Sequence, residues 1–158
     1  TFKETSWGQK VKMRLETISE CLVEKMAAAT SEQRRRAVLV ACDHAIKAVS
    51  LSSSVVDSSM EKLRRGEVFS PELVLELNGI SEKLDGEYFD LQDDSGEEPG
   101  FDTSALNFFS QARAVSALAF GGGEESLLSS AESIYEASAA VDDSDTLLGA
   151  VFAALSEQ

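Results

Sequence analysis

The chain is poor in the residues on which catalytic sites, metal sites and secreted scaffolds depend. Its 158 residues include one histidine, two cysteines and two prolines. Structural zinc sites usually draw four ligands from closely spaced Cys and His, and two cysteines inside apolar helical patterns are not a secreted disulfide framework. We therefore expect Cys21 and Cys42 to be reduced, buried thiols, and we expect no bound metal and no cofactor.

Long apolar runs are also missing from the sequence. No segment approaches the ~20 apolar residues that span a bilayer, and residues 1–14 lack the continuous apolar stretch of a signal peptide. These absences predict a soluble, cytoplasmic protein. Thr1 in place of an initiator Met is compatible with a removed Met, a tag remnant or a trimmed chain, and the sequence does not choose among them.

Basic residues are nearly absent from the second half of the chain. Residues 1–66 carry twelve Lys and Arg against eight Asp and Glu, a net charge of +4, whereas residues 67–158 carry two against twenty, a net charge of −18. An acidic surface repels phosphates and anionic lipid headgroups, and it speeds encounter with a cationic partner. We expect no nucleic-acid or membrane partner, and instead a protein partner with a basic surface.

The run Arg34 to Arg36 falls in the first turn of a predicted helix, where positive charge opposes the helix macrodipole. This placement predicts a compensating carboxylate nearby. The alternative to an outside partner for these arginines is that they pair with the acidic half of the same chain, at a modest gain for each exposed pair.

The sequence is rich in Ala, Leu, Glu and Ser, which favours helices over many short strands. Its apolar residues recur at steps of three or four along most of the length. We predict an all-α fold forming a single domain over residues 1–158, with six or seven helices in an antiparallel bundle or an orthogonal array. The basic half is residues 1–66 and the acidic half is residues 67–158.

Capping residues, glycines and prolines mark where the predicted helices begin and end. Thr30 to Gln33 has the spacing of a capping box, residues 50–54 predict a short break, and Ser70-Pro71-Glu72 is the clearest start signal. A closing glycine is predicted at Gly86 and again in the run 121–123. The expected helices cover about residues 6–28, 30–49, 55–65, 70–86, 103–120, 124–140 and 145–155.

Residues 87–102 contain acids and no base, and we predict that they form a long acidic loop. The loop is expected to bind cations only weakly, because Gly96 is out of register with the glycine of an EF-hand. Apolar side chains, including Tyr88, Phe89 and Phe101, lie among the acids. Aromatic anchors within a charged surface are typical of binding sites. The alternatives are that these rings attach the loop to the core, or that the loop is a solvated charge run.

No combination of side chains predicts catalysis. His44 and Cys42 are separated by about 200° of helical rotation, which excludes a local base and nucleophile pair. Ser59 and Lys62 match the Ser-x-x-Lys spacing of serine acylases, but the companion motifs are missing. The run 121–123 is followed by acids where a P-loop has its lysine. We predict that the protein is not an enzyme and has no catalytic residue.

The helix start at residues 31–42, the Ala-rich segment at 112–120 and the acidic stretch between them resemble the small all-helical immunity proteins of bacterial polymorphic and contact-dependent toxin systems. It implies a tight stoichiometric complex in which the acidic face covers the basic catalytic cleft of a toxin, often a nuclease.

Charge and resemblance together give a hypothesis for the binding site, in which carboxylates meet Lys and Arg of the partner while two rings fill a pocket. The proposed partner-binding residues are Glu87, Tyr88, Phe89, Asp90, Asp93, Asp94, Glu97 and Glu98. The alternative hypothesis is a structural or regulatory helical module that forms homo-oligomers through an exposed apolar face such as Leu147, Val151 and Phe152.

Overall fold

A computed structural model describes residues 13–94 and 103–157. Within these ranges the chain forms one short 3-10 helix and seven α-helices, and no strand. The prediction of an all-α fold is confirmed. The 3-10 helix is Arg14–Thr17, and the α-helices are α1 (Glu20–Ala28), α2 (Ser31–Val49), α3 (Ser54–Arg64), α4 (Pro71–Asp94), α5 (Thr103–Gly122), α6 (Leu127–Ala140) and α7 (Ser144–Ser156).

Several predicted helix boundaries are confirmed. At the start of α2 the Thr30 hydroxyl accepts a hydrogen bond from the Gln33 amide (3.1 Å), and the Gln33 side chain accepts one from the Thr30 amide (2.9 Å), which is a complete capping box. The break after α2 lies at residues 50–53, and α4 begins at Pro71. The Ser70 hydroxyl caps α4 by accepting from the Leu73 amide. Local side-chain chemistry therefore fixes these helix starts.

The predicted continuous helix over residues 6–28 is wrong in its described part. The 3-10 helix stops at Thr17, and α1 begins anew after Ser19, whose hydroxyl accepts from the Leu22 amide. A serine side chain competes well for backbone donors, and here that hydrogen bond caps the start of α1. The predicted burial of Cys21 is also wrong, since this thiol is exposed, whereas Cys42 is buried as predicted.

The predicted end of a helix at Gly86 is wrong as well. Helix α4 continues through Gly86 to Asp94, so residues 87–94 are helical, and the rest of the predicted acidic loop lies outside the described residues. A glycine inside a helix costs only about 1 kcal/mol. Leu84, Tyr88 and Leu91 follow one another at steps of four and three, and all are partly buried. Their packing extends the helix beyond the glycine.

The core forms where α2 and α5 contact the other helices. Helix α5 packs against α2, α4 and α6, and α2 also packs against α6 and α7. Close contact depends on the glycines at the end of α5, because a Cβ on Gly121 would overlap Val38 and one on Gly122 would overlap the Phe69 ring. Large side chains that are almost completely buried include Leu15, Leu22, Met26, Leu77, Leu118, Ile134, Leu147 and Val151.

Ion pairs join the basic half to the acidic half, as the alternative for the arginines predicted. Arg34 pairs with Glu125 (Nε to Oε2, 2.7 Å), and the hydrogen bond from Arg34 lowers the pKa of the Glu125 carboxyl. Arg36 contacts Glu32 at 3.7 Å and Glu157 at 4.0 Å. The compensating carboxylates expected near the first turn of α2 are therefore present.

Candidate partner-binding surface

The described residues of the hypothesised site lie on the last two turns of α4. Glu87, Phe89 and Asp90 are exposed, and Tyr88 is partly buried. Positions 93 and 94 belong to the last helical turn, whereas Glu97 and Glu98 lie outside the described residues. A helix thus presents these side chains, where the sequence predicted a loop. Residues on a helix hold their positions more rigidly than residues on a loop, which favours a preformed surface.

Two aromatic rings have different roles at this end of α4. The Tyr88 ring packs against Phe109 of α5, with 5.4 Å between centroids, and meets the edge of Phe89 at 5.3 Å. Phe89 itself is 61% exposed. Tyr88 therefore attaches the end of α4 to α5, and Phe89 is free to contact another molecule.

A partly buried ion-pair network holds this end of α4 in place. Arg113 of α5 donates to Asp85 of α4 (2.6 Å) and to Glu136 of α6 (2.7 Å), and its guanidinium lies 5.6 Å from the centroid of the Phe109 ring. Glu136 also pairs with Arg14 at 3.0 Å. One arginine therefore links α4, α5 and α6 directly beneath the aromatic contacts.

Sequence reasoning missed the positioning role of Arg113, Asp85 and Glu136. The signal was present, because Arg113 is one of only two bases after residue 66 and falls within a segment rich in Ala. A lone cation on an apolar helix face requires a carboxylate partner. Which carboxylates supply it depends on how three helices pack together.

Negative charge accumulates at the carboxyl end of α4. Among the described residues, Glu87 and Asp90 make no ion pair, and the last turn contains no base. The macrodipole places a further partial negative charge at this helix end, so the acids there repel it. Helix α4 holds eight acids and, as its only base, Lys83. A cation supplied from outside would relieve this repulsion.

The other sequence candidates have structural explanations. Burial raises the pKa of the Cys42 thiol to about 12, and its sulfur lies 3.5 Å from the Ser133 hydroxyl, which itself donates to the Ala117 carbonyl. Such a thiol is protonated at neutral pH and is not a nucleophile. Ser59 is fully buried, so its hydroxyl is not accessible to a substrate. His44 is partly buried.

The apolar face suggested for self-association is not available. Leu147 and Val151 are 1% and 0% exposed and belong to the core, and Phe152 is partly buried, with the Lys25 ammonium 5.9 Å from its ring centroid. Helix α7 uses this face to pack against α2. The prediction of an exposed apolar stripe on α7 is therefore wrong.

The chain matches no protein-family model, no curated protein and no solved structure. Within the described ranges, none of the helices has the length and apolar character needed to cross a membrane.

Proposed function

We propose that this protein is a non-enzymatic binding protein that uses the carboxyl end of α4 to engage a protein with a basic surface. The observation that carries the proposal is an exposed aromatic ring, Phe89, on the same end of α4 as the exposed carboxylates Glu87 and Asp90. The ring supplies apolar contact area, and the negative charge of this helix end steers a cationic partner to it and repels anionic ones.

The support beneath this surface favours binding over simple solvation. A solvated charge run needs no fixed geometry, whereas here Asp85 is held by Arg113 at 2.6 Å and Tyr88 is packed on Phe109. Preorganisation of this kind lowers the conformational entropy lost on association. Among the described residues, no base lies in the last turn of α4, so a basic partner would neutralise the negative charge at this helix end.

The partner that we propose to test first is a bacterial toxin domain, with this protein acting in the cytoplasm as its immunity protein. The support is the general resemblance noted from the sequence together with the net charge of −14. A basic catalytic cleft that accommodates phosphates is complementary to an acidic helix end, and covering it would block the cleft. Stoichiometric loss of the toxin's activity on adding this protein is the expected result.

The experiment begins with capture of the partner from a lysate of the native host, its identification by mass spectrometry, and its purification. Association and dissociation rates are then measured by surface plasmon resonance over a range of salt concentrations. Two variants test the surface: the charge variant Glu87→Gln/Asp90→Asn and the ring variant Phe89→Ala. The control Glu20→Gln/Glu24→Gln changes the net charge equally at exposed positions of α1.

The charge variant is expected to slow association and to flatten its dependence on salt, because steering acts on the encounter. The ring variant is expected to dissociate about tenfold faster, because a hot-spot ring contributes 1 kcal/mol or more. The control is expected to behave like the wild type. The proposal fails if both α4 variants match the control, or if the captured partner has no basic surface.

A further inference from the structure

The outer face of α4 exposes two large apolar side chains. Leu75 is 70% exposed and Phe89 is 61% exposed, which are the highest values among the large apolar residues that the structure describes. Both project away from the side of α4 that contributes Leu77 and Ser81 to the interior. Each alone is an ordinary exposed apolar residue, so what the pair indicates depends on the residues that lie between them on this face.

The spacing of these residues matches the seam of a helix pair. Steps of four, three, four and three lead from Leu75 through Gly79, Glu82 and Gly86 to Phe89, which is heptad spacing with an apolar side chain at each end of the stripe. Four turns separate the two apolar residues, or about 21 Å at 1.5 Å per residue. A second helix lying along this stripe would contact both of them.

The glycines on the stripe have no packing role within the described chain. A Cβ at Gly79 or Gly86 would have nothing within 4 Å, whereas Gly121 and Gly122 are closely covered. Neither Gly79 nor Gly86 has a positive φ. Each makes α4 less stable than an alanine at the same position would. Glycine does allow a second backbone to approach closely, which gives these two positions a use that the chain alone does not.

Charge decides what kind of helix fits. The acids on the exposed surface of α4 are Glu72, Glu76, Glu82, Glu87 and Asp90. None of them pairs with a cation among the described residues. A second copy of α4 would set mostly acids against acids, with the exposed Lys83 as the one base beside the seam, which is unfavourable. Glu82 lies in the middle of the stripe, where a Lys or Arg of a partner helix would be favourable and an acid unfavourable.

We infer that the partner presents an amphipathic helix, flanked by Lys and Arg, that lies along the outer face of α4 from Leu75 to Phe89. This inference rests on the proposed function and extends it from the end of α4 to the four turns between Leu75 and Phe89. Leu75 and Phe89 contact apolar side chains at the two ends of the partner helix, Gly79 and Gly86 admit its backbone, and Glu82 binds a central cation.

Two synthetic peptides of about 20 residues, long enough to span the stripe as a helix, serve as probes. They share one composition rich in Lys, Arg, Leu and Ala. One is ordered with its apolar residues at heptad spacing, and the other is shuffled so that no apolar stripe forms. Binding of each to the intact chain is measured by fluorescence anisotropy, and amide chemical shifts report the residues contacted.

The test variant is Gly79→Gln/Gly86→Gln, which keeps the charge and places side chains in open space, so α4 is expected to remain folded. The control is Gly149→Gln, another helical glycine with nothing near its Cβ. We expect the wild type and the control to bind the heptad peptide about tenfold more tightly than the shuffled one. The test variant is expected to bind the two peptides equally. In the wild type, the amide chemical-shift changes caused by the heptad peptide are expected to cluster from Leu75 to Phe89.

Three outcomes would overturn the inference. Equal binding of the two peptides to the wild type would mean that the protein recognises only the positive charge of the peptides. The proposed function would then stand, but the partner would not need to present a helix. A dimer of the free chain that the glycine variant abolishes in sedimentation would assign the face to a second copy. Failure of both peptides to bind even at low salt would remove the proposed function as well.

Discussion

Replacing Glu136 with glutamine tests the network that fixes the end of α4. Glu136 is 1% exposed, and its two oxygens contact Arg113 at 2.7 Å and Arg14 at 3.0 Å. Hydrogen bonds to charged groups contribute about 1.5–3 kcal/mol, and breaking a fully buried pair costs about 3–5 kcal/mol. Because Arg14 is half-exposed and Arg113 keeps Asp85, we expect a loss of about 2–3 kcal/mol.

For a chain of this length, that loss lowers Tm by about 4–12 °C. Calorimetry and urea unfolding at neutral pH measure it. The matched control is Glu132→Gln, one turn earlier on α6, which pairs with the half-exposed Arg14 at 2.6 Å and is expected to cost about 1 kcal/mol or less. Amide hydrogen exchange over residues 85–91 is expected to speed up only in the Glu136 variant. Equal effects of the two substitutions would refute a special role for Glu136.

Two further predictions concern other parts of the described structure. A thiol reagent at neutral pH is expected to label the exposed Cys21 rapidly and Cys42 only after unfolding, because burial raises the pKa of the Cys42 thiol to about 12. Equal labelling rates of the two thiols in the native protein would contradict the burial of Cys42. Gly122→Ala is expected to destabilise the fold by about 1–3 kcal/mol, because the new Cβ overlaps the buried Phe69 ring, whereas Gly86→Ala is expected to stabilise it by about 0.5–1 kcal/mol. Urea unfolding of both variants checks these signs, and a stabilised Gly122 variant would show that the ring moves freely.

The all-α class and several helix boundaries could be predicted from the sequence because they depend on residues that are close together in the chain. Thr30 and Gln33 cap one another across three residues, and Ser70 and Pro71 define the start of α4 within a single turn. Gly86 misled the prediction for the opposite reason. Its local cost is about 1 kcal/mol, and contacts with α5 that no local pattern shows outweigh it.

The residues of the candidate surface could be predicted from the sequence, but their presentation on a helix could not. The run of acids with Tyr88 and Phe89 is visible in the sequence, and its exposure at Phe89 follows once α4 is placed. The helical presentation is not visible, because it requires Tyr88 to meet Phe109, which is twenty-one residues further along the chain. The stripe from Leu75 to Phe89 likewise emerges only when both residues fall on one uninterrupted helix.

The sequence alone was enough to predict the all-α class, the separation of charge between the two halves, and the caps of α2 and α4, since each depends on composition or on residues a few positions apart. Only the tertiary structure decided which acids form ion pairs. Arg113 pairs with Asp85 and Glu136, and Arg34 pairs with Glu125. Ion pairing needs two side chains within about 4 Å, and only the packing of separate helices brings such distant residues together.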